Sequence, residues 1–173
     1  MSVRLMTMAD VTAVQAVQRA AGERFRAIPD SRIAACADHD PMTERELAGL
    51  ASSGRAWVVS EDDAVIGFLA VGVLDGCAHV EEVSVHPAHG RRGHATALLR
   101  QTTTWAVEQG LAAVTLTTFR DVPWNQPFYE RRGFRVLADD ERSAALERLL
   151  DEEDSAYGLA RELRVVMRLD VAS

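Results

Sequence analysis

The sequence predicts an α/β protein whose mixed, mostly antiparallel central sheet has about seven strands and is flanked by helices. Three observations predict this class. Seven short runs of β-branched or alternating apolar residues are typical of strands. Between several of these runs, apolar residues recur three or four positions apart, as on one face of a helix. One helical segment separates the run at 80–85 from the run at 113–117, and a strand–helix–strand connection of this kind makes two strands parallel.

Length, charge and composition exclude several classes of partner and of chemistry. The 173 residues suit one domain, which we expect to span 1–173. No apolar run approaches the roughly 20 residues of a membrane span, and the N-terminus has no apolar leader, so we expect a cytoplasmic protein and no membrane partner. The net charge of −7 disfavours nucleic acid and favours cationic small molecules or peptides. The chain has no lysine, which excludes Schiff-base and P-loop lysine chemistry.

The first half of the chain alternates strands with capped helices. Residues 3–6 form a predicted strand, and a helix begins at Thr7 and is stopped by Gly22. Residues 23–40 are mixed and polar, so a second helix and a loop both stay open. Thr43 opens a capping box for the next helix. An antiparallel meander is predicted from strands at 56–59, 64–73 and 79–85.

The second half continues this alternation. Its predicted elements are a helix ending at Gly110, a strand at 113–117, a short helix ending at Gly133, a strand, a helix at 142–154 and a last strand at 163–169. The acidic residues of the helix at 142–154 are predicted to form a solvated face.

The turn between the strand at 80–85 and the following helix predicts an anion site. Two glycines and two arginines lie there, at Gly90, Arg91, Arg92 and Gly93. Unpaired amides and the positive end of the dipole mark a helix start, glycine lets an anion approach the backbone, and arginine suits phosphate. A pyrophosphate is the natural ligand. The turn also carries histidines, which we expect to form a surface cluster and not a metal site: His86, His89 and His94.

Two segments together resemble the GCN5-related N-acetyltransferase (GNAT) family. In the turn, Gly93 and Ala95 match the family's Gln/Arg-x-x-Gly-x-Gly/Ala motif, whereas Gly90 stands where Gln or Arg is usual. Arg91 or Arg92 is expected to replace the lost contact. The segment from Phe128 to Phe134 resembles the second signature, Tyr-x-x-x-Gly-Phe.

The resemblance implies a parallel strand pair that splays apart around the cofactor, acetyl-CoA, with no metal. It implies transfer of an acetyl group to a primary amine of a small molecule, an amino acid or a peptide N-terminus. Asn125 is closer to the motif tyrosine than is usual in the family, and capping of the short helix is its alternative role. The cofactor-binding residues expected are Val83, Ser84, Val85, Arg91, Arg92, Gly93, His94, Ala95, Thr96, Asn125 and Phe128.

Tyr129 is the candidate acid for the departing thiolate. It matches the family's tyrosine, and a phenol with a pKa of about 10 stays protonated at neutral pH. Packing between neighbouring phenylalanines is its alternative role. Attack on the thioester also requires removal of a proton from the amine, whose pKa is about 10.4.

Three residues are candidates for the base. Glu81 comes first by its offset from the glycine motif, which resembles that of polyamine-type members, and His79 is the runner-up by its intrinsic pKa. Strand alternation points Glu81 and Glu82 to opposite faces unless a bulge intervenes, in which case Glu82 faces the substrate. Some family members use no dedicated base, so that alternative also stays open.

The acceptor is expected to enter opposite the cofactor, between residues 25–33, Trp57 and residues 119–124. Within the last segment, Asp121 is a candidate partner for a cation, and Phe119 and Trp124 are candidates for packing on an apolar acceptor. Core packing is the alternative role of these two aromatic residues. A non-catalytic acyl-CoA-binding module and a nucleotide-binding protein are the competing functions. A homodimer is one assembly we consider.

Overall fold

A seven-stranded sheet runs through residues 1–171, the residues that the computed structural model describes. The last two residues of the predicted 1–173 domain lie outside this described part. Neighbouring strands are antiparallel except β4 and β5, which are parallel, and the sheet order is β1-β2-β3-β4-β5-β7-β6. The predicted fold class is therefore confirmed. The strands are β1 (Ser2–Leu5), β2 (Ala56–Glu61), β3 (Ala64–Leu74), β4 (Cys77–Val85), β5 (Ala113–Phe119), β6 (Arg135–Val136) and β7 (Arg164–Asp170).

Helices cover both faces of this sheet, and none within residues 1–171 is both long and apolar enough to cross a membrane. Alternation along β3 separates two cores: Leu69 packs with Leu98 of α4 on one face, and Phe68 packs with Val14 of α1 on the other. The helices are α1 (Val11–Gly22), α2 (Ser31–Ala34), α3 (Glu44–Ser53), α4 (His94–Glu108), α5 (Gln126–Glu130) and α6 (Ala144–Tyr157).

Local capping chemistry sets the helix boundaries. The Thr7 amide donates to Asp10 Oδ2 at 2.8 Å, and this capping box opens a 3₁₀ turn that runs into α1. The Thr43 box is confirmed at the start of α3. Gly22 ends α1, but with right-handed dihedral angles, so the chain continues as another 3₁₀ turn. Residues 23–40 form such turns together with the single turn of α2.

The parallel pairing of β4 with β5 is short. It runs from Ala78 opposite Val114 to Val80 opposite Leu116, although β4 continues to Val85 and β5 to Phe119. Beyond these three pairs the two strands separate and leave a wedge-shaped opening at one end of the sheet. This separation positions the candidate site.

Candidate functional site

A cleft of about 830 Å³ lies between the separated ends of β4 and β5. One wall is β4, and its polar edge is available because the strand is no longer paired with β5 there. Val83, Ser84 and Val85 form this wall. The opposite wall is the end of β5, from Thr117 to Phe119. An extended polyamide chain fits such an edge as an added strand.

The start of α4 closes one end of the cleft. Gly93 is its N-cap with φ +88°, a left-handed conformation that favours glycine, and Arg91 before it also has a positive φ of +63°. The first helical hydrogen bond runs from the Ala97 amide to Gly93 O at 2.9 Å. The amides before Ala97 therefore have no acceptor within the helix and are free to bind an anion. Arg91, Gly93, His94, Ala95 and Thr96 line the cleft.

Glu61, at the end of β2, anchors this turn from outside. Its carboxylate lies 3.0 Å from His89 Nδ1, 3.3 Å from Arg92 Nη1 and 3.2 Å from His94 Nε2. Arg92 therefore points away from the cleft, unlike Arg91, and the expectation that both arginines point to the ligand is corrected. The His94 side chain is also buried against Glu61, so His94 offers its backbone amide.

Arg132 joins the two motif segments. Its Nε donates to Thr96 Oγ1 at 2.8 Å, and its Nη1 donates to Phe128 O at 2.6 Å. The guanidinium also lies 3.5 Å from the centre of the Phe128 ring. Phe128 and Asn125 both line the cleft; Asn125 occupies the N-cap position of α5, but its side chain makes no capping bond.

Tyr129 also lines the cleft, and it packs there between two rings. Their centroids lie 5.1 Å away for Phe128 and 5.7 Å away for Phe134. Burial raises the pKa of the Tyr129 phenol above its usual value, against the smaller opposing effects of Arg132 and Arg164. The phenol is therefore protonated at neutral pH and carries an O–H donor.

A β-bulge corrects the expected orientation of Glu81 and Glu82. Glu82 opposes Ala70 on β3 and Val80 opposes Val71, so Glu81 is the extra residue. Glu81 Oε1 lies over Gly72, where an added Cβ would come within 2.5 Å of it. Because Ala70 and Gly72 share one face of β3, both carboxylates lie on that face, and both line the cleft.

The two carboxylates have different surroundings. Glu82 is half-buried and accepts from Gln18 Nε2 at 2.7 Å and from Ser84 Oγ at 2.6 Å. Burial raises its pKa more than these two hydrogen bonds lower it. Glu81 is more exposed, and partial burial of its carboxyl raises its pKa more than the charge of Arg55 lowers it.

His79 is wrong as a base candidate. It is 6% exposed within the sheet, outside the cleft lining, with Nδ1 2.9 Å from Thr115 Oγ1. Burial, and to a lesser extent the charge of Arg164, lowers its pKa to about 4. The imidazole is therefore neutral at pH 7. Because it lies outside the cleft lining, it cannot contact a substrate bound there.

The acceptor side of the cleft has an aromatic wall. Phe25 packs on Phe119 and Trp124 with ring centroids 6.0 and 5.7 Å apart, and all three line the cleft. Two other residues expected on the acceptor side do not line the cleft. Trp57 is buried in the core against Trp105, and Asp121 is exposed outside the cleft lining.

An ion pair that sequence reasoning missed lies on the same side. Arg164 Nη2 donates to Glu153 Oε2 at 3.0 Å and to Thr117 Oγ1 at 2.7 Å, and all three residues line the cleft. Glu153 belongs to α6, so the expectation of a wholly solvated acidic face is corrected. Gln18 and Arg132 were missed as well; only the arginine lay in a recognisable motif.

Comparisons with known proteins agree with this geometry. The model of the acetyltransferase (GNAT) family matches residues 17–134. The fold is similar to an N-acetyltransferase, PaiA, from Thermoplasma acidophilum, crystallised with coenzyme A (TM-score 0.70, 13% identity, 98% of each chain). It is also similar to Rv2747 from Mycobacterium tuberculosis, crystallised with CoA (TM-score 0.69, 20% identity, 99% of this chain and 100% of that one).

A third similar fold is the ribosomal-protein-S18-alanine N-acetyltransferase of Escherichia coli (TM-score 0.66, 16% identity, 99% of this chain and 94% of that one). At these identities the solved structures support the fold, whereas the family model covers more than half of the chain and both motif segments. The cleft, the glycine turn and the motif tyrosine thus occur together in a chain that belongs to the acetyltransferase (GNAT) family.

Proposed function

We propose that this protein transfers the acetyl group of acetyl-CoA to a primary amine of a small molecule, an amino acid or a peptide N-terminus. The observation that carries the proposal is the cleft itself: free helix-start amides at one end, an unpaired strand edge along one wall, and Tyr129 and Glu82 on its lining. The helix-start amides suit a pyrophosphate, the strand edge suits a pantetheine arm, and the two side chains suit the reaction of a thioester.

The cofactor side is assigned from the geometry of the turn. The pyrophosphate is held by the amides of residues 93–96 and by the Arg91 guanidinium, and the pantetheine amides pair with Val83 and Val85. Asn125 and Phe128 line the same passage. When bound, acetyl-CoA supplies an acetyl group activated as a thioester.

Proton transfer is assigned to two residues on the lining. Glu82 removes a proton from the amine, because burial has raised its pKa towards that of a useful base. Tyr129 donates a proton to the departing sulfur, because its phenol stays protonated. This assignment places Glu82 ahead of Glu81, the first candidate from the sequence.

A thiol-release assay tests the proposal. Purified protein is mixed with acetyl-CoA and a panel of primary amines, amino acids and short peptides, and free coenzyme A is measured over time. Amine-dependent release with acetylated product detected by mass spectrometry is the expected result. Tight acetyl-CoA binding without release for any amine would instead indicate a non-catalytic acyl-CoA-binding module.

A further inference from the structure

Gln18 lines the cleft and carries a buried hydrogen-bond acceptor that the protein itself does not use. The residue is 8% exposed, and its Oε1 has no hydrogen-bond partner among residues 1–171. Its Nε2 donates to Glu82 Oε2 at 2.7 Å, which fixes the orientation of the amide and leaves Oε1 as the free atom. A buried acceptor without a donor is unfavourable, so a ligand that supplies a donor gains binding energy there.

The neighbouring Glu82 carboxylate also lacks a partner, in this case a cationic one. Its carboxylate receives two hydrogen bonds, and both come from the neutral donors Gln18 and Ser84. Within the described residues no cationic side chain lies within salt-bridge distance of it. Arg164, another cleft residue, is paired with Glu153.

The complement of these two groups is a cation with several N–H donors. A primary ammonium has three such donors on one atom, enough to reach a carboxylate oxygen and an amide oxygen together. A carboxylate, an ether or a quaternary ammonium lacks these donors. An acceptor carbonyl and a half-buried carboxylate therefore favour an ammonium nitrogen with at least two N–H donors.

We propose that Gln18 Oε1 and Glu82 Oε2 together form the subsite that binds the nitrogen of a primary alkylammonium acceptor. Gln18 is a positioning and specificity residue in this subsite: it holds the Glu82 carboxylate through Nε2 and binds the incoming nitrogen through Oε1. The inference rests on the proposed transfer to an amine, but it concerns binding and can be tested without turnover.

The probe is n-butylammonium chloride, added to the protein saturated with coenzyme A. Side-chain carboxyls of glutamate are labelled with ¹³C, and the Glu82 resonance is identified by its absence in Glu82→Gln. We expect n-butylammonium to shift this resonance saturably. The matched control ligand, n-butyltrimethylammonium, has the same charge and no N–H donor, and we expect it to bind at least about tenfold more weakly.

The variant Gln18→Met keeps the side-chain length and removes both the carbonyl and the NH₂ group of the amide. We expect it to weaken n-butylammonium binding by about tenfold to a hundredfold, as for loss of a hydrogen bond to a charged group. Gln15→Met is the matched control, because Gln15 lies on the same helix and donates to Met42 O at 2.9 Å, outside the cleft lining. Equal affinity for the two cations, or unchanged affinity in Gln18→Met, would overturn the proposal.

If Gln18→Met does not fold, Gln18→Leu provides the test. It also removes the side-chain carbonyl and NH₂ group, and we expect it to weaken n-butylammonium binding by about tenfold to a hundredfold; unchanged affinity would reject the subsite. Saturable binding without thiol release from n-butylamine would reject the proposed transfer to this amine but retain the subsite. Thiol release that does not depend on Gln18 would reject the subsite alone.

Discussion

Arg132 Nε donates a hydrogen bond to Thr96 Oγ1 at 2.8 Å, which connects the segment after α5 to the first turn of α4. The same guanidinium stacks on Phe128 and bonds to its carbonyl. One side chain therefore fixes the relative position of the two segments that enclose the cofactor end of the cleft. We therefore expect substitution of Arg132 to lower the affinity for the ligand while the protein stays folded.

Arg132→Met is expected to weaken acetyl-CoA binding by about tenfold, because the two segments lose the side chain that holds them in place before the ligand binds. Titration calorimetry measures the change. Arg100→Met is the matched control, since Arg100 is exposed on α4 and outside the cleft lining. Equal losses in both variants would mean that the positive charge matters and the contact to Thr96 does not.

Gly93→Glu is expected to abolish measurable acetyl-CoA binding while the protein stays folded. The substitution places a negative charge where the helix-start amides are assigned to the pyrophosphate. Gly110→Glu is the control, because Gly110 has a similar positive φ of +67° at the opposite end of α4, with open space around its Cβ position. Calorimetry and circular dichroism together decide the outcome. Unchanged affinity in a folded Gly93→Glu protein would falsify the cofactor site.

Tyr129→Phe is expected to lower kcat by about 10²–10⁴-fold with little change in acetyl-CoA affinity, because the substitution removes only the hydroxyl that donates the proton. Tyr157→Phe makes the same chemical change at a residue that is 62% exposed, and it should leave kcat unchanged. Steady-state rates give both values. A wild-type kcat in Tyr129→Phe would reduce Tyr129 to a packing residue.

Glu82→Gln is expected to lower kcat/KM by about 10²-fold, whereas Glu81→Gln should stay within a few-fold of the wild type. The base acts only when it is deprotonated, so wild-type kcat/KM falls as the pH drops through the raised pKa of Glu82. That dependence should be absent in Glu82→Gln. The pH–rate profiles of both variants test this order, and the reverse pattern would make Glu81 the base.

Asp10→Asn is expected to reduce stability at pH 7 by about 1–2 kcal/mol, allowing for the solvent exposure of Arg4. The Arg4 guanidinium, bonded to Asp10 at 2.7 Å, is the main cause that lowers the pKa of this carboxyl to about 2. Since the folded pKa lies below the unfolded value, the contribution is present above about pH 4 and is lost as the pH falls towards 2. Urea unfolding at pH 7 and pH 3 should show the difference between variant and wild type shrinking. A stability difference that does not change with pH would show that the Arg4–Asp10 ion pair is not its origin.

The sequence by itself determined most of the helices and strands of this protein and the glycine–arginine turn before α4. Alternation predicted the strands, capping boxes predicted where helices begin, and the glycine–arginine turn after residue 85 predicted the start of α4. All of these follow from contacts among neighbouring residues, whose chemistry is visible in the order of the chain. Tyr129 was found differently, through the resemblance of the segment from Phe128 to Phe134 to the second family signature.

Only the tertiary structure decided which side chains face the cleft. The bulge at Glu81 depends on the register of β4 against β3, and it brings to one face two carboxylates that alternation separates. Three contacts join segments far apart in the chain: His79 with Thr115, Arg92 with Glu61, and Arg164 with Thr117. Such contacts have no local pattern, because they arise from the packing of whole elements and not from the residues beside them in sequence.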